Sequence, residues 1–419
     1  MCFCLKKLFS TTVAPLMVAL ALMVAYFPTY AQTIDILIKN GHVVDAKNGI
    51  NSPMDVAIAK GKIFKVAANI PEQHAKKVID ATGLFVSPGL INIHTHVFVG
   101  SNPGFADGTS SQLPDAFAIR SGITTVVDAG TSGWKNFPLF KSQVIDKSVT
   151  RVLAFLNIFE KGFSAGSAIE PDMNSLDVEK TVDAIKKYPE LIVGTRIGHY
   201  SGNEWTPFDR AVEAAEVAKV PLLVECHLPQ YSLEDQLRRM RPGDIITHAY
   251  ENVDERMTIV DEQGRLRPMV REAQERGILF DVGHGGAGFW FNQAIPAVEQ
   301  GLLPNSFGTD EHRTSMNSGM KNMLNVMSKF LTIGMNIEEI LERATWYAAK
   351  SIKREDLGHL SVGSEADIAL LSVVNGDFGF VDSGNNRIAG KRKFEAEMTI
   401  RAGKIVWDLN GLAATDFEY

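Results

Sequence analysis

Cysteine is almost missing from this chain: there are three in 419 residues, and two of them, Cys2 and Cys4, stand in the first few positions. A chain that loses its beginning keeps only Cys226, so no intramolecular disulfide can form and stability has to come from packing. An excess of positive charge is missing as well. Lys and Arg number 42 against 49 Asp and Glu, which disfavours nucleic acid or anionic lipid as a main partner. Low-complexity linkers and repeats of solenoid length are also lacking. The one extended apolar run, Val13 to Phe27, is shorter than the roughly 20 residues that span a bilayer and contains Pro15. It follows Lys6 and Lys7 and precedes the small residues of Thr29-Tyr30-Ala31, so it reads as a secretory signal cleaved after Ala31, with an uncleaved membrane anchor as the alternative. Cys2 and Cys4 precede the run instead of ending it, which speaks against a lipoprotein. Cleavage takes away two lysines and no acid, moving the formal charge from −7 to −9. The expectation is an exported protein, periplasmic or secreted, with no membrane partner once the signal is gone.

What is present is ordinary globular composition, 45% hydrophobic and 22% charged, which excludes disorder and leaves material for a large core. From Ile34 to Val86 short apolar runs alternate with turn residues, as in IDILIKN, GHVVDA and DVAIAKGKIFKVA, the pattern of half-buried strands. After Pro88 apolar strands alternate with amphipathic helical stretches such as Asp177 to Lys187, Pro207 to Lys219 and Pro268 to Arg276, the pattern of βα units on a parallel sheet. Eight strands can be counted: GLINIHTH, ITTVVDA, RVLAFLNI, LIVGTRI, PLLVECH, DIITHAY, GILFDVGH and NSFGTD. Eight units close a barrel whose reactive residues lie at the C-terminal strand ends. Near Leu360 strand texture returns in GSEADIALLSV and EAEMTIRAGKIVW. The predicted fold is therefore α/β, a (β/α)8 TIM barrel over 88–359 with a small β-sandwich built from 32–87 and 360–419, after a signal peptide at 1–31.

Seven of the ten histidines, His94, His96, His199, His227, His248, His284 and His312, fall at or just beyond a predicted barrel-strand end. In a barrel they converge on one rim, where imidazoles ligate metal or move protons. His94 and His96, two apart on a strand, share a face and can share a cation; two packed core histidines are the bland alternative. His248 ends the sixth strand and completes a third ligand, where alone it would read as a satisfied core residue. Asp310 ends the eighth strand; it can bind metal and carry the proton of an attacking water, or simply cap the next helix. His312 is a weaker candidate for substrate contact. So are His199 and Tyr200 after strand four and His284 in FDVGHGGAGF, whose four glycines allow close backbone approach to a ligand; either histidine reads equally well as a supporting or capping residue. Cys226 reads as a small core residue rather than a nucleophile.

SPGLINIHTHVF, GITTVVDAG, WTPFDRAVEAA, RPGDIITHAYE, RGILFDVGHGGAGF, FGTDEH and GHLSVGSEADIALL together resemble the amidohydrolase superfamily, in its amidohydrolase/deacetylase and dihydroorotase-like branch. The resemblance runs over essentially the whole mature chain. It implies a barrel flanked by a β-sandwich, one or two divalent ions, zinc first with manganese or iron as alternatives, and hydrolysis of amide or ester carbonyls. By position His94 and His96 match the first-strand pair, His248 the sixth-strand histidine and Asp310 the eighth-strand aspartate. Two departures stand out. Many relatives carry on strand four a lysine that becomes carboxylated and bridges two metals, whereas this chain has Arg196, which cannot form that carbamate. The strand-five ligand is either Glu225 or His227, and Glu225 can bridge metals in the lysine's stead or pair with Arg196. Asn92 replaces an aspartate often found before the histidine pair.

These readings predict a metal-dependent hydrolase of non-peptide C–N bonds in a small-molecule substrate, with acetyl esters also open, Asp310 as proton carrier, and Arg196 or Arg313 as partners for a substrate carboxylate, each reading at least as well as a structural residue. A homo-oligomer is left open. The rival is a non-catalytic barrel that binds a ligand or partner and lost its chemistry with Arg196; metal content separates the two.

Overall fold

In the computed structural model the described residues are 33–99, 110–162, 173–253 and 255–417. The expected signal segment, with Cys2 and Cys4, lies outside them. Seven parallel strands follow one another in sequence order: Leu90–Thr95, Ile123–Gly133, Arg151–Asn157, Ile192–Gly198, Leu222–Glu225, Ile245–Ile246 and Leu279–Phe280. They are Val-, Ile- and Leu-rich and buried along nearly their whole length, as a parallel sheet covered on both faces requires. The eighth segment closes the ring without forming a regular strand. Ser306 bridges Asp281 on one side and Glu311 bridges Thr95 on the other, and His96 N–H donates to Glu311 O at 2.9 Å. Asn92 clamps the same seam: its Nδ2 donates to Thr309 Oγ1 at 2.6 Å and its Oδ1 accepts from Thr309 N–H at 3.1 Å. The residue in the family's aspartate position thus holds strand one to strand eight.

Ile91, Val127, Phe155, Val193, Leu223 and Ile245, from six consecutive strands, share one buried cluster with Ala348 and Ala349 of the helix Trp346–Ser351. Only the inside of a closed sheet brings so many strands together. The outer helices start on local signals. Asp177 caps Val178–Lys187 by accepting from Lys180 N–H, and Ser232 caps Leu233–Arg239 by accepting from Asp235 N–H. Pro207 and Pro268 stand in the first turn of Thr206–Ala218 and Pro268–Arg276.

The second sheet runs in the order Lys404–Asp408, Arg387–Arg401, Ile368–Val381, Phe85–Pro88, Ile36–Asp45, Ile50–Ala59, Lys62–Ala67, with Val78–Asp80 beside Ile36–Asp45. The two chain ends meet where Phe85–Pro88 pairs antiparallel with Ile368–Val381. Strand alternation divides the labour there: Ile368 and Leu370 enter this sheet's own core, whereas Ala369 and Leu371 pack into the barrel's outer core. The fold is a TIM barrel with a β-sandwich unit built from both ends of the chain.

Candidate metal centre

Glu225, the last residue of the fifth strand, is the hub of the barrel mouth. Its Oε1 lies 2.8 Å from His199 Nε2, 3.1 Å from His248 Nε2 and 3.3 Å from His227 Nε2. Its Oε2 pairs with the guanidinium of Arg196 and lies 3.5 Å from His94 Nε2. On the far side of His94, Asp310 Oδ1 stands 3.6 Å from His94 Nε2 and 3.1 Å from His96 Nε2. Three overlapping donor sets result: His94, His96 and Asp310; His94, Glu225 and His248; His199, Glu225 and His227.

Three of these side chains are aimed by an unusual backbone. His199, His248 and Asp310 have φ of 56°, 53° and 50°, the left-handed region that costs L-residues about 1–3 kcal/mol each and persists where the surrounding fold over-determines it. The left-handed turn redirects the chain just past the fourth strand at His199, two residues past the sixth at His248, and within the bridging eighth segment at Asp310. Two glycines of the seventh-strand loop make room for the same cluster. A Cβ on Gly285, itself at φ 47°, would collide with Asp310 Oδ2, and one on Gly288 with His248 Nδ1.

Burial dominates the electrostatics. It drives His94 down to about 3, so the ring is neutral. It pushes the Glu225 and Asp310 carboxyls up, but Arg196 and His199 around Glu225, and His312 and His96 around Asp310, outweigh it and hold both well below the usual carboxylate range. His94 Nε2 is buried and has no hydrogen-bond partner among the described residues. A bare nitrogen facing two carboxylate oxygens at about 3.5 Å is unfavourable by itself and suits a cation between them. The donor set of imidazole nitrogens and carboxylate oxygens fits a borderline divalent ion such as zinc.

The remaining sequence candidates separate. His199 and His227 join the cluster through Glu225. Arg196 is fully buried on Glu225, so it is a counter-ion inside the site. Tyr200 is buried and turns away, its hydroxyl donating to Glu204 Oε2 at 2.6 Å. His284 is fully buried, its Nε2 2.6 Å from Lys329 Nζ, and does not reach the open mouth. His312, not Asp310, caps the next helix, Arg313–Met316: its Nδ1 accepts from Thr314 and Ser315 N–H while its Nε2 stands 3.5 Å from Asp310 Oδ2. Sequence reasoning missed Asp128, Thr131, Thr247, Asp281 and the Glu251–Arg256 pair behind His227. Asp128 and Asp281 stand in TTVVDAG and ILFDVGH, so the strand-end rule that selected the histidines would have found them too.

Residues 291–406 match the amidohydrolase family model. The chain is 31% identical to the deacetylase Atu3266 of Agrobacterium fabrum over 362 residues, 84% of this chain and 87% of the relative. The chain belongs to the amidohydrolase superfamily. This amidohydrolase is also 31% identical to a deacetylase of Brucella anthropi, covering 88% of the chain and 86% of the relative. It superposes on a structure described as an adenine deaminase with a TM-score of 0.81 at 28% identity, covering 90% of this chain and all of that one. A dihydroorotase structure follows at 0.79 and 29%, covering 89% and 99%. The amidohydrolase is accordingly a metal-dependent hydrolase of non-peptide C–N bonds acting on small molecules, and an inert barrel is not favoured.

Proposed function

We propose that this amidohydrolase is a deacetylase that removes an acyl group from the nitrogen of a small linear substrate, with zinc as its ion. The deacetylase relatives span 84% and 88% of the chain, whereas the dihydroorotase of Streptococcus pneumoniae matches 92 residues, 22% of it, at 44% identity. The observation that carries the chemistry is the two-sided placement of Asp310. Its Oδ1 faces His94 and His96, and its Oδ2 faces Nε2 of His312.

His94, His96, Glu225, His248 and Asp310, with His199 and His227 beside them, would hold one or two ions. A divalent ion there supplies Lewis acidity toward a carbonyl oxygen and makes water easier to deprotonate. Asp310 accepts the proton of the attacking water on its carboxylate and delivers it to the departing nitrogen. His312 keeps Asp310 turned for this: with its Nδ1 accepting from backbone N–H groups, the neutral ring carries its proton on Nε2, which it offers to Oδ2. Arg196 keeps Glu225 ionised and in place.

Met1 to Ala31 is proposed as a cleaved export signal, which N-terminal sequencing of protein from the native host checks directly. The substrate reading is tested with the zinc-loaded mature protein on N-acetyl amino acids, acetyl esters, dihydroorotate, hydantoins and adenine. Acetate release from the N-acetyl compounds, well above turnover of the cyclic amides and adenine, is expected. Preference for a ring-opening or deamination substrate would overturn the deacetylase proposal.

A further inference from the structure

His94 and His96 each rest on a buried threonine that in turn rests on a buried aspartate. Nδ1 of His94 is 2.8 Å from Thr247 Oγ1, and that hydroxyl donates to Asp281 Oδ2 at 2.8 Å. The other oxygen of Asp281 accepts from Ser306 Oγ at 2.6 Å and Gly308 N–H at 2.7 Å. Nδ1 of His96 is 2.9 Å from Thr131 Oγ1. Thr131 engages Asp128 through its backbone N–H at 2.8 Å, and Val97 N–H donates to the second Asp128 oxygen at 2.9 Å.

A hydroxyl has one proton to give. Committed to Asp281, the Thr247 hydroxyl can only accept from the ring beside it, and His94 must carry its own proton on Nδ1. A neutral imidazole protonated there has its lone pair on Nε2, the atom that both rings turn toward Asp310. His248 has no such support: its Nδ1 is buried without a partner among the described residues. His227 has a different one, since its Nδ1 lies 2.8 Å from a carboxylate oxygen of Glu251 with no hydroxyl between them. Among His94, His248 and His227, it is His94 whose Nδ1 meets a threonine hydroxyl already committed to a carboxylate.

We propose that Thr247, anchored by Asp281, is a positioning residue that locks His94 in the Nδ1–H tautomer, so that it presents a bare Nε2 to a divalent cation. This rests on the metal-centre reading above. The ring is then ready before the ion arrives, and binding requires no proton relocation on it.

The test uses the mature chain labelled with 15N-histidine, stripped of metal, with His94→Gln and His96→Gln assigning the signals. Two-bond 15N–1H correlations read the tautomer, and competition with a chromophoric chelator reads zinc affinity. The His94 ring should show the Nδ1–H form. Thr247→Val, which keeps the shape and removes the hydroxyl, should give His94 a mixture of tautomers and weaken zinc binding roughly 10- to 100-fold. Thr247→Ser should restore both, and Thr247→Ala, expected to act like the valine variant, keeps the test open where that variant does not fold. A Thr247→Val protein with the wild-type His94 tautomer and wild-type zinc affinity would sink the relay while leaving the metal centre standing. A folded wild-type protein that takes up no divalent ion would sink the metal centre, and the purpose proposed for the relay with it.

Discussion

Lys329 Nζ lies 2.6 Å from His284 Nε2, and both residues are fully buried. His284 Nδ1 donates to Gly285 O at 3.0 Å, so its Nε2 accepts from Lys329, which also donates to Gly319 O at 2.7 Å. Lys329 thus pins the seventh-strand loop whose glycines lie against Asp310 and His248. Burial lowers its ammonium from 10.5 to about 7.

That shift has a stability signature. Between about pH 7 and pH 10.5 the unfolded chain holds a proton on Lys329 that the folded chain has released, so folding stability rises with pH across that window; below about pH 7 both states are charged and the cost of burial is complete. Lys329→Met should remove this rise, worth at most about 1.4 kcal/mol per pH unit. Urea unfolding of both proteins from pH 6 to 10 checks it, and parallel stability curves would contradict it.

Arg196 and Glu225 form a pair with almost no exposure. Arg196→Met leaves the carboxylate without its buried cation and should cost about 3–5 kcal/mol in the metal-free protein. Arg196→Lys keeps the charge and should cost less. Equal stability of wild type and Arg196→Met would show that the imidazoles alone compensate Glu225.

Gly285 and Gly286 are neighbours with opposite expectations. A methyl group on Gly285 would strike Asp310 and sit on a left-handed backbone, whereas Gly286 has open space around it. Gly285→Ala should lower kcat on the order of 100-fold by displacing the carboxylate, and Gly286→Ala should leave it unchanged. Steady-state kinetics of the two variants decide.

Asp310→Asn keeps the size of the side chain and loses its basicity. Turnover should fall about 10²- to 10⁴-fold, while mass-spectrometric metal analysis shows most of the ion still bound through His94, His96 and their neighbours. Normal turnover would remove Asp310 from the proton path.

Chelation should abolish activity and lower Tm, and zinc should restore both. At a free ion concentration about 100 times Kd the stabilisation is about 2.7 kcal/mol. A Tm indifferent to chelator would mean that the cluster binds no ion in the folded state.

Much of this was open to a reader of the sequence. Eight apolar runs spaced by helical stretches predict the barrel, and the alternating runs at both ends predict the second sheet, because side-chain periods of 3.6 and 2 are local properties. The strand-end rule also placed His94, His96, His248 and Asp310 on one rim. It could not sort the rest, because a strand end reaches the rim whichever way its last side chain turns. His284 and Tyr200 stand at such ends and face inward, while His227 and His199 face Glu225. The left-handed turns at His199, His248 and Asp310 leave no local mark either, since glycine or asparagine would be the expected residue there.

By itself, then, the order of residues determined which side chains arrive at the mouth of the barrel, since strand length and period are written locally. Which of them meet, and which nitrogen of each ring carries the proton, was decided only when the barrel closed. His94 takes its tautomer from Thr247, 153 residues away along the chain, and a hydrogen bond across that distance exists only in the folded ring.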